Sequence, residues 1–283
     1  MVNTLLDFSR RRELTLHARV IADVQAVAAI IRVPTMITGA FARDLHIYYA
    51  HGINTVRKTE DVDFALAVPD WESFADLKQQ LIKTGQFRDV TNAQQRLRHI
   101  SDLPVDLVPF GGVETVSRHL DWPPGGVSRM DVFGFREVAA SAWRVRLPGG
   151  ADASVVSLPA LALLKIIAWQ DRHYRTPMKD AHDLMLIIAN YLDLGNQERL
   201  WNEFHAWTEE DDFDTKRTGA RMLGVDVAGL LDEGGRKRIA AVLAEQADME
   251  TPGLLPREMC SWDVEGVRAL LEYMLKGLFE NKK

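Results

Sequence analysis

Cysteine is nearly absent: Cys260 stands alone in 283 residues. No intrachain disulfide can form, which excludes a disulfide-stapled scaffold and suits a reducing compartment. Long apolar runs are missing as well. The most apolar stretch, Leu158 to Trp169, is interrupted by Lys165 and is too short to span a bilayer. The N-terminus carries Arg10, Arg11 and Arg12 but no apolar segment after a basic start, so a secretory signal is not expected and a cytoplasmic location is. An excess of positive charge is lacking too: 34 Lys/Arg face 40 Asp/Glu, net −6, which speaks against a globally basic nucleic-acid binder. The charge is uneven, with residues 1–150 at +1 and residues 151–283 at −7, so a local basic groove in the first part stays open. Internal repeats and low-complexity segments are absent.

What is present is ordinary globular material, 47% hydrophobic and 26% charged, of a length that suggests two domains. Leu16, Val20, Val24, Val27 and Ile31 recur at helical spacing and predict a helix over 13–32, stopping before Pro34. Met36-Ile37-Thr38 reads as a buried strand meeting a turn at Gly39, and Ala40 to Ala50 as a second helix. Val62, Phe64 and Leu66 alternate with Asp61, Asp63 and Ala65, the period of a half-buried strand. Asp70 is placed to cap a helix bearing Trp71, Phe74, Leu77 and Leu81. Segments 96–100 and 104–110 read as strands. Trp122-Pro123-Pro124-Gly125-Gly126 reads as a loop, and Pro148-Gly149-Gly150 joins a hairpin of 143–147 and 153–156. After Ser157 strand signals fade. Helices are expected at 158–172, 177–191, 196–208, 213–223, 234–247 and 262–279. This predicts an α/β domain over 1–157 and an all-helical domain over 158–283. Trp143, Trp169, Trp201 and Trp207 are expected in the core.

Asp61 and Asp63 lie two apart on a predicted strand, so both project from one face with α-carbons ~6.6 Å apart. Two carboxylates so placed repel, unless solvated or joined by a divalent cation. Asp106 interrupts the apolar strand Pro104 to Phe110, where an acid needs a partner: a buried ion pair on one reading, a third metal-facing carboxylate on the other. Thr38-Gly39-Ala40 joins a strand to a helix, where a glycine lets backbone approach a phosphate and the helix start offers free N–H groups.

Strand, glycine turn, helix, a strand with Asp-x-Asp, then a later strand with Asp: this order resembles the nucleotidyltransferases related to DNA polymerase beta. Within them the chain is similar to the AbiEii type of abortive-infection toxin. The resemblance rests on Thr38-Gly39-Ala40 with Arg43-Asp44, on Arg57-Lys58-Thr59-Glu60-Asp61-Val62-Asp63, and on Val105 to Phe110. It continues through Leu161 to Lys165, Asp171-Arg172, Lys179-Asp180 and Asp183, covering residues 33 to 190. Ala40 stands where relatives carry serine or glycine, so a serine hydroxyl for the terminal phosphate is missing, and the gap from Gly39 to Asp61 is longer.

The resemblance implies a polymerase-beta-like domain with a mixed sheet flanked by helices, then helices. It implies transfer of a nucleoside monophosphate from an NTP to an acceptor hydroxyl, releasing pyrophosphate. Asp61, Asp63 and Asp106 would hold two Mg2+ ions, with Mn2+ as substitute, and Asp106 would also accept the proton. Gly39, Ala40, Arg43, Lys165, Arg172 and Lys179 would bind nucleotide, with Lys165 also catalytic. A tRNA or other RNA acceptor and a cognate antitoxin protein are implied partners. An antibiotic or protein acceptor, or a non-catalytic module of the same fold, are the alternatives. For Lys179 and Asp183, four apart on a helix, a surface ion pair is the simpler expectation.

Overall fold

A computed structural model describes residues 5–55, 59–91, 93–123 and 129–280. Arg57 and Lys58 of the family-like segment, and Pro124-Gly125-Gly126 of the expected loop, lie outside the described residues. The chain divides into two compact units, residues 1–50 with 54–157, and residues 51–53 with 158–283.

The first unit carries the strands β1 (Leu5–Asp7), β2 (Thr35–Thr38), β3 (Val62–Val68), β4 (Phe87–Asp89), β5 (Arg96–His99), β6 (Pro104–Gly111), β7 (His119–Asp121), β8 (Arg129–Asp131), β9 (Trp143–Arg146) and β10 (Asp152–Val155). Eight of them form one mixed sheet in the order β1-β9-β10-β2-β3-β6-β5-β4, and β7 pairs with β8 separately. Its helices are α1 (Thr15–Ile30), α2 (Gly39–Asp44), which runs on as a π-helical turn over Leu45–Tyr49, α3 (Trp71–Lys83) and α4 (Phe135–Ala139).

Helix α1 buries Val20, Val24 and Val27 as its spacing predicts, while Leu16, expected on the same face, is exposed. The helix ends ahead of Arg32, which adopts φ 58° two residues before Pro34. Asp70 caps α3, its carboxylate accepting from the Ser73 N–H at 2.8 Å. In β3 the side chains of Val62, Phe64 and Leu66 are fully buried, matching their alternation. The hairpin of β9 and β10 sets Arg146 opposite Asp152, which accepts from both Arg144 and Arg146. Strands β1, β4, β7 and β8 were not predicted, because three residues are too few to show a period.

The second unit is helical: α5 (Leu158–Arg172), α6 (Lys179–Ala189), α7 (Gln197–Glu203), α8 (Thr215–Ala228), α9 (Glu233–Ala247), α10 (Leu254–Met259) and α11 (Val264–Leu278). The predicted helix 213–223 stopped at Gly224, yet α8 runs through it. A β-carbon on Gly224 would lie 2.1 Å from the Met274 carbonyl oxygen, and one on Gly277 would lie 2.0 Å from that of Arg221. These glycines let the backbones of α8 and α11 touch, so here glycine serves packing rather than helix termination. Trp169 is buried as expected, whereas Trp201 is exposed. Among the described residues no helix is long and apolar enough to cross a membrane.

Candidate active site

Sheet register builds the site. Thr38 of β2 lies opposite Asp63 of β3, Asp63 opposite Asp106 of β6, and Asp106 opposite Arg96 of β5. Directly paired residues share a face, so these four form one row across four strands. Asp61, two residues before Asp63, joins them on that face. Ligand oxygens of Asp61, Asp63 and Asp106 all lie within 4.8 Å of one another. Arg96 closes the row. Its Nε donates to Asp106 Oδ1 at 2.6 Å, and its Nη2 donates to Asp106 Oδ2 at 2.6 Å and to Asp61 Oδ2 at 3.0 Å. The hydrogen bonds to Asp106, set against burial and helped by the charge of all three acids, hold the Arg96 guanidinium well above its ordinary pKa. Asp106 therefore has the ion-pair partner its burial requires and also converges with the other two acids. Three hard carboxylate donors at this spacing fit a divalent cation of the Mg2+ or Mn2+ kind.

The turn from β2 into α2 abuts this row. Thr38 is extended and Gly39 takes φ +67°. A β-carbon on Gly39 would fall 1.9 Å from Asp63 Oδ2. Glycine is thus required twice, for the left-handed backbone and for the space that the Asp63 carboxylate fills. Gly39→Ala is expected to push that carboxylate out of the row, lowering transfer activity by about 100-fold, while the backbone strain itself costs only about 1–2 kcal/mol. Steady-state rates alongside thermal melting check this; an active, unshifted variant would refute it.

Arg43, expected on a phosphate, is placed otherwise. It is 1% exposed, and its Nε and Nη2 both donate to Asp44 Oδ1, at 2.9 and 2.6 Å. The Thr59 hydroxyl donates to the other Asp44 oxygen. Arg43 and Asp44 thus tie α2 to the segment leading into Asp61, a scaffolding role that burial dictates.

In the second unit α5 and α6 enclose a charge cluster. Lys165, 4% exposed, donates to Asp180 Oδ1 at 2.9 Å and lies 2.6 Å from Asp183 Oδ2. Arg172, one face with Lys165, donates through Nε and Nη2 to Asp180 at 2.8 and 2.9 Å. The expected open clasp of Lys165 and Arg172 is therefore corrected: both cations already hold carboxylates. The expected surface pair of Lys179 with Asp183 is corrected too, since Asp183 is buried against Lys165. Lys179 is half-buried at the start of α6.

Burial alone would raise the Asp180 carboxyl, but Lys165 and Arg172 outweigh it and hold the group well below the ordinary range. Burial likewise pulls Lys165 down, and the two carboxylates overcome this and raise it. A depressed acid contributes stability above its unfolded pKa, about 3.9, and loses it as pH falls through the folded value. A raised lysine contributes below its unfolded pKa, about 10.4, and loses it as pH rises through the folded value. The cluster's contribution is expected to be flat between about pH 5 and 9 and to decline outside it. Urea midpoints across pH test this, with Asp180→Asn as reference; equal acid sensitivity of the two chains would count against it.

Comparison with known proteins decides the family. The chain matches the description Nucleotidyl transferase AbiEii toxin, Type IV TA system, over residues 36–269. It belongs to the AbiEii nucleotidyltransferase toxin family. Among curated proteins none matches the chain. Solved structures share weaker likeness. A crystal structure of ANT(2")-Ia in complex with adenylyl-2"-tobramycin is 16% identical, over 68% of this chain and 98% of that one, at TM-score 0.39. An antigenic nucleotidyltransferase-like protein from Paracoccidioides brasiliensis is 19% identical, over 70% and 90%, at TM-score 0.39. The Thermotoga maritima CCA-adding enzyme complexed with tRNA is 13% identical, over 95% and 81%, at TM-score 0.24. Likeness at this level says nothing of substrate.

As an AbiEii-family chain the protein is a nucleotidyltransferase, and its mixed sheet with flanking helices followed by helices is the expected architecture. The AbiEii match runs from β2 into α11, so both the carboxylate row and the Lys165 cluster fall within it. Arg96 is the functional residue that reading the sequence missed. A signal existed: a hairpin turning at residues 100–103 puts position 96 opposite 106, and a mid-strand acid needs a cation.

Proposed function

We propose that this chain transfers a nucleoside monophosphate from an NTP to an acceptor hydroxyl with release of pyrophosphate, as the toxin of a toxin–antitoxin or phage-defence pair acting on tRNA. The convergence of Asp61, Asp63 and Asp106 on one face carries this reading. Three carboxylates converging on one face suit a phosphoryl-transfer site, which must hold divalent cations against the phosphates. In this reading residues 1–157 form the catalytic domain and residues 158–283 the helical one, the protein works in the cytoplasm, and a cognate antitoxin protein restrains it.

Asp61, Asp63 and Asp106 would hold two Mg2+ ions, or Mn2+ in their place. Held by these acids, such ions would neutralise charge on the attacking hydroxyl, the phosphate and the departing pyrophosphate. Asp106 accepts the proton of the acceptor hydroxyl. Backbone N–H groups of Gly39 and Ala40, lacking acceptors within the first turn of α2, bind phosphate oxygens. Lys165 holds Asp180 and Asp183 in place between α5 and α6.

The test is incubation of the purified chain with Mg2+, each α-labelled NTP and total cellular RNA, beside an Asp63→Ala control. Label on RNA only with intact Asp63 is the expected result, and the labelled band names the acceptor. Label on protein or on a small molecule would move the acceptor while keeping the chemistry. No transfer to any acceptor, together with no metal-dependent NTP binding, would overturn the reading.

A further inference from the structure

We propose that Arg96 is the resident counter-cation of the carboxylate cluster, and that a divalent ion is held there only once this guanidinium gives way. The inference rests on the metal reading above. Arg96 is bidentate on Asp106, one nitrogen to each oxygen at 2.6 Å, and reaches Asp61 with the same Nη2 at 3.0 Å. It thus spans two of the three carboxylates that form the ion-binding set. A divalent ion sits about 2.1 Å from a carboxylate oxygen, closer than a guanidinium nitrogen does. An ion engaging Asp61 and Asp106 would therefore lie within a few ångströms of a fixed positive charge, in a partly buried setting where water screens poorly.

The same contacts explain how the acids stay together in the ion-free protein. Without a cation, three carboxylates within 4.8 Å of one another would spread apart. Arg96 neutralises one charge and pins the row in register across β3, β6 and β5. Its side chain remains 31% exposed, so the guanidinium has a route to solvent without moving the strand. Arg98, two residues on and on the same face of β5, is engaged differently, by Asp102 at 3.2 Å. An arriving triphosphate brings both the negative charge that draws cations in and a new anionic partner for Arg96. Ion binding and NTP binding are consequently coupled through this one side chain, each favouring the other.

Free Mn2+ monitored by paramagnetic resonance, titrated against the full chain without nucleotide, reads the effect directly. Arg96→Gln is expected to bind Mn2+ at least tenfold more tightly than the parent, Arg98→Gln like the parent, and Arg96→Lys in between. Addition of a non-hydrolysable NTP analogue tightens the parent much more than Arg96→Gln. Equal or weaker Mn2+ binding by Arg96→Gln would overturn the proposal while leaving the metal reading intact. Absence of Mn2+ binding in parent and variants alike would overturn both. Thermal melting adds an independent readout. In EDTA, Arg96→Gln melts below the parent, and Mn2+ closes the gap; a gap indifferent to Mn2+ would mean that Arg96 is a structural pair only.

Discussion

Replacing Asp63 with asparagine is expected to lower nucleotidyl transfer by about 1,000-fold or more and to leave the chain folded. Asp63 sits at the centre of the row, between Thr38 and Asp106 and against the Gly39 turn. Loss of one bridging charge removes several kcal/mol of transition-state stabilisation, and each 1.36 kcal/mol is tenfold in rate. Asparagine has nearly the same shape, so packing survives, and removing one of three crowded negative charges relieves repulsion. Initial rates with saturating NTP, set beside the melting temperature, separate the two effects. A variant that is slow because it is unfolded, or one that keeps a tenth of the parent rate, would argue against a shared cation at this position.

The largest stability effect is expected at Lys165. Lys165→Met removes the buried ammonium that meets both Asp180 and Asp183. Breaking a buried pair by removing one partner costs about 3–5 kcal/mol, because the remaining charge stays in a poorly solvated place. The double variant Lys165→Met with Asp183→Asn removes one of the two carboxylates that Lys165 meets and is expected to regain a large part of the loss, a coupling that a double-mutant cycle measures. Arginine is not a neutral replacement there. Its planar fork cannot reproduce the compact ammonium that reaches two carboxylates three residues apart on α6. Urea unfolding of the full chain gives the midpoints. A Lys165→Met cost under about 1 kcal/mol would mean that this cluster is better hydrated than its burial indicates.

These results bear on how much of the molecule was legible beforehand. The alternation of Val62, Phe64 and Leu66 with acids announced β3 because its side chains meet two environments. Asp70 and the helices of the second unit were readable for the same local reasons: a cap, a period, a breaker. Gly39 was readable as a turn, but its second function was not. That function depends on Asp63 lying against it, and the contact arises from antiparallel register between strands some twenty residues apart. Arg96 was hidden by the same kind of non-local choice. It sits on a short strand among several arginines, and only pairing with β6 singles it out from Arg98. Arg43 and Lys165 show the converse error. A basic residue in a family-like segment reads as a phosphate ligand, while burial, which the sequence does not state, turns it toward an acid of its own chain.

The sheet order has a consequence for synthesis. Every acid of the row has been synthesised once β6 is made, yet β2 is an inner strand whose other neighbour is β10, through Val155 opposite Ile37. Until that late strand arrives, the strand leading into Gly39 has one bare edge and its turn lacks lateral support. At roughly 5–20 residues per second the interval from β6 to β10 lasts about 2–9 s. A nascent chain thus carries all three acids of the row before the strand leading into Gly39 gains its second neighbour.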